Sequence, residues 1–351
     1  MSILAPRSLI KLGWIAALAL LLTSCGGDLP AQQFRILTFG TYMDVELINV
    51  DRATAEAARE QLQEDFDIMH QAWHAWDPGP VGRLNDLINE GVTVAAPPSV
   101  LPLLRISQDL AEKSDYLFDP GIGQLVGLWG FHTSNISAHE PPGEDDINFW
   151  LDQQASIGDI TLDGFRLSSS NSAVKLDFGA IGKGYGVDQA VRRLQEMGIH
   201  NAIVNAGGDL RAIGSRSGHP WRIGIRDPDG GGVFALLEVK DNGAVFTSGN
   251  YQRNFTWQGK FYHHIIDPRT GYPAEGSASV TVLHDDATTA DAAATALFIA
   301  GPDNWHRIAK QMGIKYVLLI DEQGRVHMNP AMQARVQFQK PVEQIIISEP
   351  L

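Results

Sequence analysis

Asp291 and Thr295 stand four residues apart in Thr289-Ala290-Asp291-Ala292-Ala293-Ala294-Thr295-Ala296, a stretch otherwise made of small residues. Four residues is about one helical turn, so the carboxylate and the hydroxyl share a face. Both are hard oxygen donors of the kind that hold Mg2+, and the alanines let another backbone approach closely enough to add a carbonyl. The same pair also reads as ordinary helix chemistry: an acid near the N-terminus complementing the dipole, and a threonine bonding back to its own backbone. A second candidate is Asp177-Phe178-Gly179-Ala180-Ile181-Gly182-Lys183-Gly184-Tyr185-Gly186. Its four glycines let backbone N–H groups come close to a ligand, and the helix that follows offers its N-terminus to an anion. It is not a GxGxxG dinucleotide fingerprint, because Asp177 and Lys183 bracket it and no βαβ unit follows. A tight strand-to-helix connection would look the same. The third is His263-His264-Ile265-Ile266-Asp267-Pro268-Arg269-Thr270-Gly271-Tyr272-Pro273, where His264 offers a base or a phosphate donor beside a turn. A histidine beside a turn is more often structural. Phe246-Thr247-Ser248-Gly249-Asn250-Tyr251 adds hydroxyls that either contact phosphate or cap a turn.

The elements that must carry these residues follow from periodicity. Phe34–Val50 reads as strands around Gly40, with Met43, Val45 and Leu47 alternating with Asp44 and Glu46. Arg52–Trp73 has helical spacing, with Ala53, Ala57, Leu62, Phe66 and Met69 on one side, and a second helix is expected over Ser99–Leu117. His132–Ile147 is polar and rich in Pro and Gly, a surface excursion. Leu176–Gly214 reads as strand, glycine-rich turn, helix, strand and turn. Its helix carries Val187, Ala190, Val191, Leu194 and Met197 and stops at Gly198. Ala202–Asn205 is a buried strand feeding Gly207-Gly208-Asp209. Trp221–Arg226 is a strand closed by the Asp227–Gly232 turn, and Ile265-Ile266 is a strand end. Val280–Leu283 is a strand, Thr288–Ala300 a helix, and Tyr316–Ile320 with Arg325–Met328 a hairpin. Strands and helices mix without a repeat or a regular βαβ period, which places the chain in the α+β class.

Met1–Ser24 has two basic residues, Arg7 and Lys11, no acid, and an apolar stretch from Trp14 to Leu22, the layout of a secretory signal. It ends in Leu22-Thr23-Ser24-Cys25-Gly26, which resembles the lipobox of bacterial lipoproteins, where the cysteine is lipidated and becomes the first mature residue. An ordinary cleaved signal with a chance cysteine is the alternative. Cys25 is the only cysteine, so no intramolecular disulfide can form. Residues 25–33 then read as a tether and 34–340 as the folded domain. Net charge is −14, and the mature chain is more acidic still once Arg7 and Lys11 are lost. A field of that sign disfavours nucleic acid, and any phosphate compound must be held by local donors or a metal.

In order, the chain carries Phe118-Asp119-Pro120, Leu128-Trp129-Gly130-Phe131, Leu176-Asp177-Phe178-Gly179-Ala180-Ile181-Gly182-Lys183-Gly184-Tyr185 and Val204-Asn205-Ala206-Gly207-Gly208-Asp209. Thr247-Ser248-Gly249, the His264–Pro273 segment and Ala290–Leu297 follow. Seven pieces in this order resemble the ApbE family of FAD:protein FMN transferases, and the likeness runs from about Phe39 to Val326. The resemblance implies a T-fold-like arrangement of mixed antiparallel sheets with packed helices. It implies Mg2+ on Asp291 and Thr295, with backbone oxygens at Ala180 and Ala294. Asp177 and Lys183 match positions lining the flavin nucleotide. Phe39, Trp76, Trp129, Gly130, Phe131 and Ile265 match positions that hold its rings, where aromatic faces stack well. The sequence departs from many members at Gly182 (Ala), at Asn250 (Asp) and in Ala75–Asn85, which lacks the usual Asp-Ser pair.

The implied reaction is attack by a Ser or Thr hydroxyl of a target protein on the FMN phosphorus of FAD, with loss of AMP and with His264 or Asp267 as the base. Attack by water would make the same site an FAD pyrophosphatase, and a non-catalytic flavin-binding lipoprotein is a rival of another class. The implied acceptors are subunits of membrane redox pumps such as sodium-translocating NADH:quinone reductase or the Rnf complex. The expected location is the periplasmic side of a membrane, anchored through Cys25. Gly26 and Gly27 carry no acidic signal for retention in the inner membrane, so outer-membrane sorting stays open.

Overall fold

A computed structural model describes residues 29–133 and 136–351, so the signal segment and Cys25 lie outside the described residues. In chain order the elements are β1 (Gln32–Thr38), β2 (Thr41–Leu47), α1 (Arg52–Trp73), α2 (Pro80–Asn89), β3 (Val94–Ala95), α3 (Leu101–Lys113), α4 (Gly123–Leu128) and α5 (Glu144–Asp152). Next come β4 (Ile160–Asp163), β5 (Arg166–Ser169), α6 (Gly182–Glu196), β6 (Ala202–Ala206), β7 (Asp209–Gly214), β8 (Trp221–Arg226), β9 (Val233–Val239) and β10 (Asp241–Gly249). The chain continues through β11 (Asn254–Trp257), β12 (Lys260–His263), β13 (Ser277–His284), α7 (Ala287–Gln311), β14 (Tyr316–Asp321), β15 (Val326–Met328), α8 (Pro330–Gln333), β16 (Gln337–Phe338) and β17 (Ile345–Ile347).

The centre is a nine-stranded sheet in the order β1-β2-β6-β7-β10-β13-β14-β15-β17, antiparallel throughout except where β17 runs parallel to β15. Alternation along its strands divides the apolar residues between two cores. On one face Met43, Val45, Phe246, Val282 and Leu319 join the helices in the larger core. On the other, Leu210, Ala212, Val245, Leu283, Leu318 and Ile320 pack under the small sheet β8-β9-β16. Successive side chains of a strand point to opposite faces, so an unbroken apolar run such as Tyr316–Ile320 belongs in a strand covered on both sides. A third cluster gathers Leu125, Trp129, Phe131, Ile147, Phe255, Tyr262 and Ile266 around α4, α5 and the β11–β12 hairpin. The architecture is α+β, mixed antiparallel sheets with packed helices.

Several expectations need correction. The buried stripe of α1 is Ala55, Ala58, Leu62, Phe66 and Trp73, with Ala53 and Ala57 in solvent. Leu176 lies in no strand. Its neighbour Lys175 forms one bridge to Ile122, and Asn85 holds Leu176 in place of a ladder, accepting from its N–H at 2.8 Å and donating to its carbonyl at 3.0 Å. The helix expected over Ser99–Leu117 spans only α3. Four helices went unread: α2, which opens on Pro80, α5, which begins inside the polar excursion, and the short α4 and α8. The helix of Asp291 runs on to Gln311 through a break at Gly301 (φ 70°) followed by Pro302. Ordered strands start at Gln32 and end at Ile347, so the fold extends past both expected domain limits. Among the described residues no helix is long and apolar enough to cross a membrane.

Candidate functional site

The site grows from the crossing of α6 and α7. A Cβ on Gly184 would stand 2.3 Å from the Ala287 carbonyl oxygen and 2.8 Å from Asp291 Cβ, so only glycine permits this approach. At the crossing each helix lends a carboxylate to the other. Gly184 N–H donates to Asp291 Oδ2 at 2.8 Å. One turn along α6, Asp188 accepts from Ala287 N–H at 2.9 Å, Thr288 N–H at 2.8 Å and the Thr288 hydroxyl. Arg211 pairs with Asp188 at 2.7 Å. These bonds satisfy amides that a helix start leaves without intrahelical partners.

The cluster beside this crossing is charged and enclosed. Lys183 puts its ammonium on the carboxylate of Asp209 and 3.9 Å from Asp291 Oδ1. Burial pulls the lysine pKa down, but Asp209 and Asp291 outweigh it and the net shift is upward. Asp291, 5% exposed, is pushed up to about 6 by burial, with Asp209 and Asp188 adding to the rise and Lys183 opposing it. Asp209 is fixed from its other side, where Thr247 N–H donates to Oδ1 at 2.8 Å. Next to it, Ser248 Oγ lies 3.3 Å from Thr295 Oγ1.

This donor set suits Mg2+. Asp291, Thr295 and the Ala294 carbonyl occupy one stretch of α7, and Ala180 sits in the turn that opens α6. The Ala294 carbonyl belongs to the helix ladder and keeps a second lone pair. Among the described residues no three His, Cys, Asp or Glu side chains gather as a metal site. One carboxylate with neutral oxygens is the arrangement Mg2+ uses when water and substrate phosphate complete its shell.

Asp177 closes the glycine-rich turn by accepting from Gly179 N–H at 2.8 Å, and its other oxygen accepts from Trp76 Nε1 at 2.8 Å. Lys175 stands 3.7 Å from the Trp76 ring centroid. From Trp76 and Lys175 an open cleft of about 980 Å3 runs along Asp77–Leu87 to Val94 and Pro97. Phe39, at φ 49° on the tip of the β1–β2 hairpin, stacks on Trp73 at 5.8 Å and lies against Gly186.

The other ring-contact expectations meet a different arrangement. Trp129 is 0% and Phe131 2% exposed, both inside the third core, and Trp129 Nε1 donates to the Gly271 carbonyl at 2.7 Å. Their faces are taken up by protein, as is the side chain of buried Ile265. At this edge Gly130 (φ 75°) is half-exposed. Arg253 Nη2 donates to the Phe131 and Thr133 carbonyls, each at 2.6 Å.

His264 Nδ1 lies 3.2 Å from the Arg253 carbonyl oxygen. Facing a carbonyl, Nδ1 carries the hydrogen and Nε2 keeps the free lone pair. Burial first, then the charges of Arg253, His263 and Lys183, lower the His264 pKa to about 3, so its imidazole is neutral at physiological pH. The charge of Lys183 reaches His264 and that of Asp177 reaches Arg253, so the three motifs share one electrostatic neighbourhood. Asp267 is otherwise engaged. Its carboxylate takes the Arg269 N–H at 2.8 Å and the guanidinium at 2.7 Å, and its carbonyl takes Gly271 N–H at 2.8 Å. It anchors the turn. Sequence reading assigned no part to Asp188, Asp209, Arg253 or Asn85. Only Asp209 carried a signal, as the acid that ends a Gly-Gly turn at a strand start.

Fold and cluster together define a class: α+β proteins in which a glycine-turned helix and an alanine-rich helix cross over an Asp–Lys–Asp group beside an aromatic cleft. Residues 39–318 match the ApbE family, and the chain belongs to that family. It is 41% identical over 303 residues to the FAD:protein FMN transferase of Rhodobacter capsulatus, covering 85% of this chain and 57% of that protein, so the match spans little more than half of that relative. It is 31% identical over 319 residues to the FAD:protein FMN transferase of Vibrio cholerae, covering 88% of this chain and 93% of that protein. The crystal structure of the ApbE protein of Thermotoga maritima superposes with a TM-score of 0.79 at 33% identity, covering 89% of this chain and all of that one.

Proposed function

We propose that this chain is an enzyme that transfers FMN from FAD to a Ser or Thr hydroxyl of another protein. The acceptor oxygen bonds to the FMN phosphorus, the bond from that phosphorus to the bridging pyrophosphate oxygen breaks, and the electron pair leaves with AMP. The observation that carries this reading is the Asp291–Thr295 face beside Lys183, in a chain whose relatives bear the name of that activity. Asp291 and Thr295, with the Ala180 and Ala294 carbonyls, would hold Mg2+, which supplies neutralisation of charge on the pyrophosphate. Lys183 brings a positive charge to the same place, and the helix start at Gly182 favours an anion. Asp177 and Trp76 form one wall of the flavin site, and Phe39 and Gly130 sit at its margins. His264 is the more accessible base of the two candidates, since its Nδ1 faces the Arg253 carbonyl and leaves Nε2 with a free lone pair whereas the Asp267 carboxylate is bound by Arg269.

Acceptors on this reading are subunits of membrane redox pumps of the NADH:quinone reductase or Rnf type. Cys25 is the lipid anchor that keeps the enzyme beside them on the periplasmic side, and a Cys25→Ala chain that still sediments with membranes would remove that part.

The deciding experiment incubates the mature soluble chain with FAD and Mg2+, with and without an acceptor subunit. AMP together with fluorescent acceptor is the expected result. AMP with free FMN would instead mean a pyrophosphatase, and intact FAD a flavin-binding protein. Asp291→Ala should abolish turnover with the fold retained, and AMP release at the wild-type rate would remove the cation assignment.

A further inference from the structure

We infer that Asp209 is a positioning residue: it draws the Lys183 ammonium to itself and so leaves the outward oxygen of Asp291 open to a divalent cation. The inference rests on the reading of Asp291 as a cation ligand. Lys183 faces two carboxylates and touches only one, binding Asp209 while Asp291 Oδ1 stands 3.9 Å away. The other Asp291 oxygen is occupied by Gly184 N–H. Oδ1, which carries no N–H and faces Lys183, is the more open oxygen for a cation, and also the one the lysine would take if released.

Asp209 cannot follow the lysine across that gap. It starts β7 directly after Gly207 (φ 66°) and Gly208 (φ 113°), a turn tied by Gly207 N–H to the Tyr42 carbonyl and by Gly208 N–H to Asn205 Oδ1 at 2.7 Å. Its own Oδ1 is fixed by Thr247 N–H on β10. Lysine is the mobile partner, a point charge on a four-carbon stem. With Asp209 neutralised, the half-buried ammonium loses its anion, and the nearest other one, Asp291, is within about one bond length of contact. The pair would then close on itself and exclude the cation.

A simpler account is that Asp209 only adds negative charge to the site. The two accounts part in a double-mutant cycle, because a charge effect acts whether or not the lysine is present. Mn2+ binding to the mature chain without FAD can be counted from the free-ion signal by electron paramagnetic resonance. Asp209→Asn should weaken it about tenfold or more, the equivalent of ~1.4 kcal/mol. In the Lys183→Met background the same change should cost less than about threefold. Asp209→Glu, which keeps the carboxylate, should stay near wild type, and Asp209→Ser serves the cycle if the asparagine variant does not fold. Equal losses in both backgrounds would overturn the inference. Crystals of Asp209→Asn grown without cation should place Lys183 Nζ in hydrogen-bond contact with Asp291, and a lysine still about 4 Å away would overturn it too. A wild-type chain that binds no Mn2+ sinks the reading of Asp291 as a cation ligand instead, while the lysine's place in the Asp209→Asn crystal still decides this one.

Discussion

Gly184→Ala tests whether the helix crossing builds the site. The added Cβ would lie 2.3 Å from the Ala287 oxygen, where ordinary contact begins at 3.4 Å, so the helices must part by about 1 Å. That shift stretches the 2.8 Å bond from Gly184 N–H to Asp291 to nearly 4 Å, beyond hydrogen-bonding range. Forced overpacking costs ~1–3 kcal/mol, and a hydrogen bond to a charged group contributes ~1.5–3 kcal/mol. Alanine returns up to ~1 kcal/mol of helix propensity. The net expectation is a loss of about 1.5–5 kcal/mol, seen as a lower urea midpoint at unchanged slope. Gly182→Ala is the internal control, two residues earlier in the same helix, where a Cβ meets nothing within 4 Å. It should leave the midpoint unchanged or raise it slightly. If Gly184→Ala unfolded at the wild-type midpoint or above, the two helices would not be in the contact described and the argument would fail.

Asn85→Ala removes both bonds that hold Leu176, leaving a buried N–H and C=O without partners, and should cost about 2–4 kcal/mol in urea unfolding. A loss under ~0.5 kcal/mol would mean that another group or water takes its place. Trp76→Phe keeps an aromatic face but deletes the donor to Asp177, so KM for FAD should rise more than kcat falls. A change confined to kcat would contradict that role. The His264 pKa of about 3 lies below the unfolded value of ~6.5, so between these values the unfolded chain binds the extra proton. Its contribution is therefore whole above pH 6.5 and drains away as the pH falls toward 3. Relative to His264→Asn, wild type should lose stability between pH 7 and 5, and parallel curves would show that the imidazole titrates normally.

Much of this was legible because the relevant signals are local. Met43, Val45 and Leu47 alternate with acids, and Val187 to Leu194 keep helical spacing, so β2 and α6 could be read directly. The Asp291–Thr295 face needed only the knowledge that its segment is a helix. Alanine misled at Ala53 and Ala57, because a methyl group tolerates either side of a helix. The helix α2 was hidden by its start, Asp77-Pro78-Gly79-Pro80, which reads as turn although proline suits a first helical position. Trp129 and Phe131 show a different limit, since an aromatic ring that lines a ligand and one that fills a core look alike in sequence. Asp188 and its partners on α7 are about a hundred positions apart, and no local pattern joins them.

The exchange of carboxylates between α6 and α7 has a mechanical result. Asp188 ties down the first amides of α7, and Asp291, one turn into α7, ties down an early amide of α6. Two struts running in opposite directions form a closed frame, so neither rod can slide or roll without breaking a joint at both corners. On the proposed function, the geometry offered to an incoming nucleotide would be set in advance by the scaffold, with little ordering left to oppose its arrival.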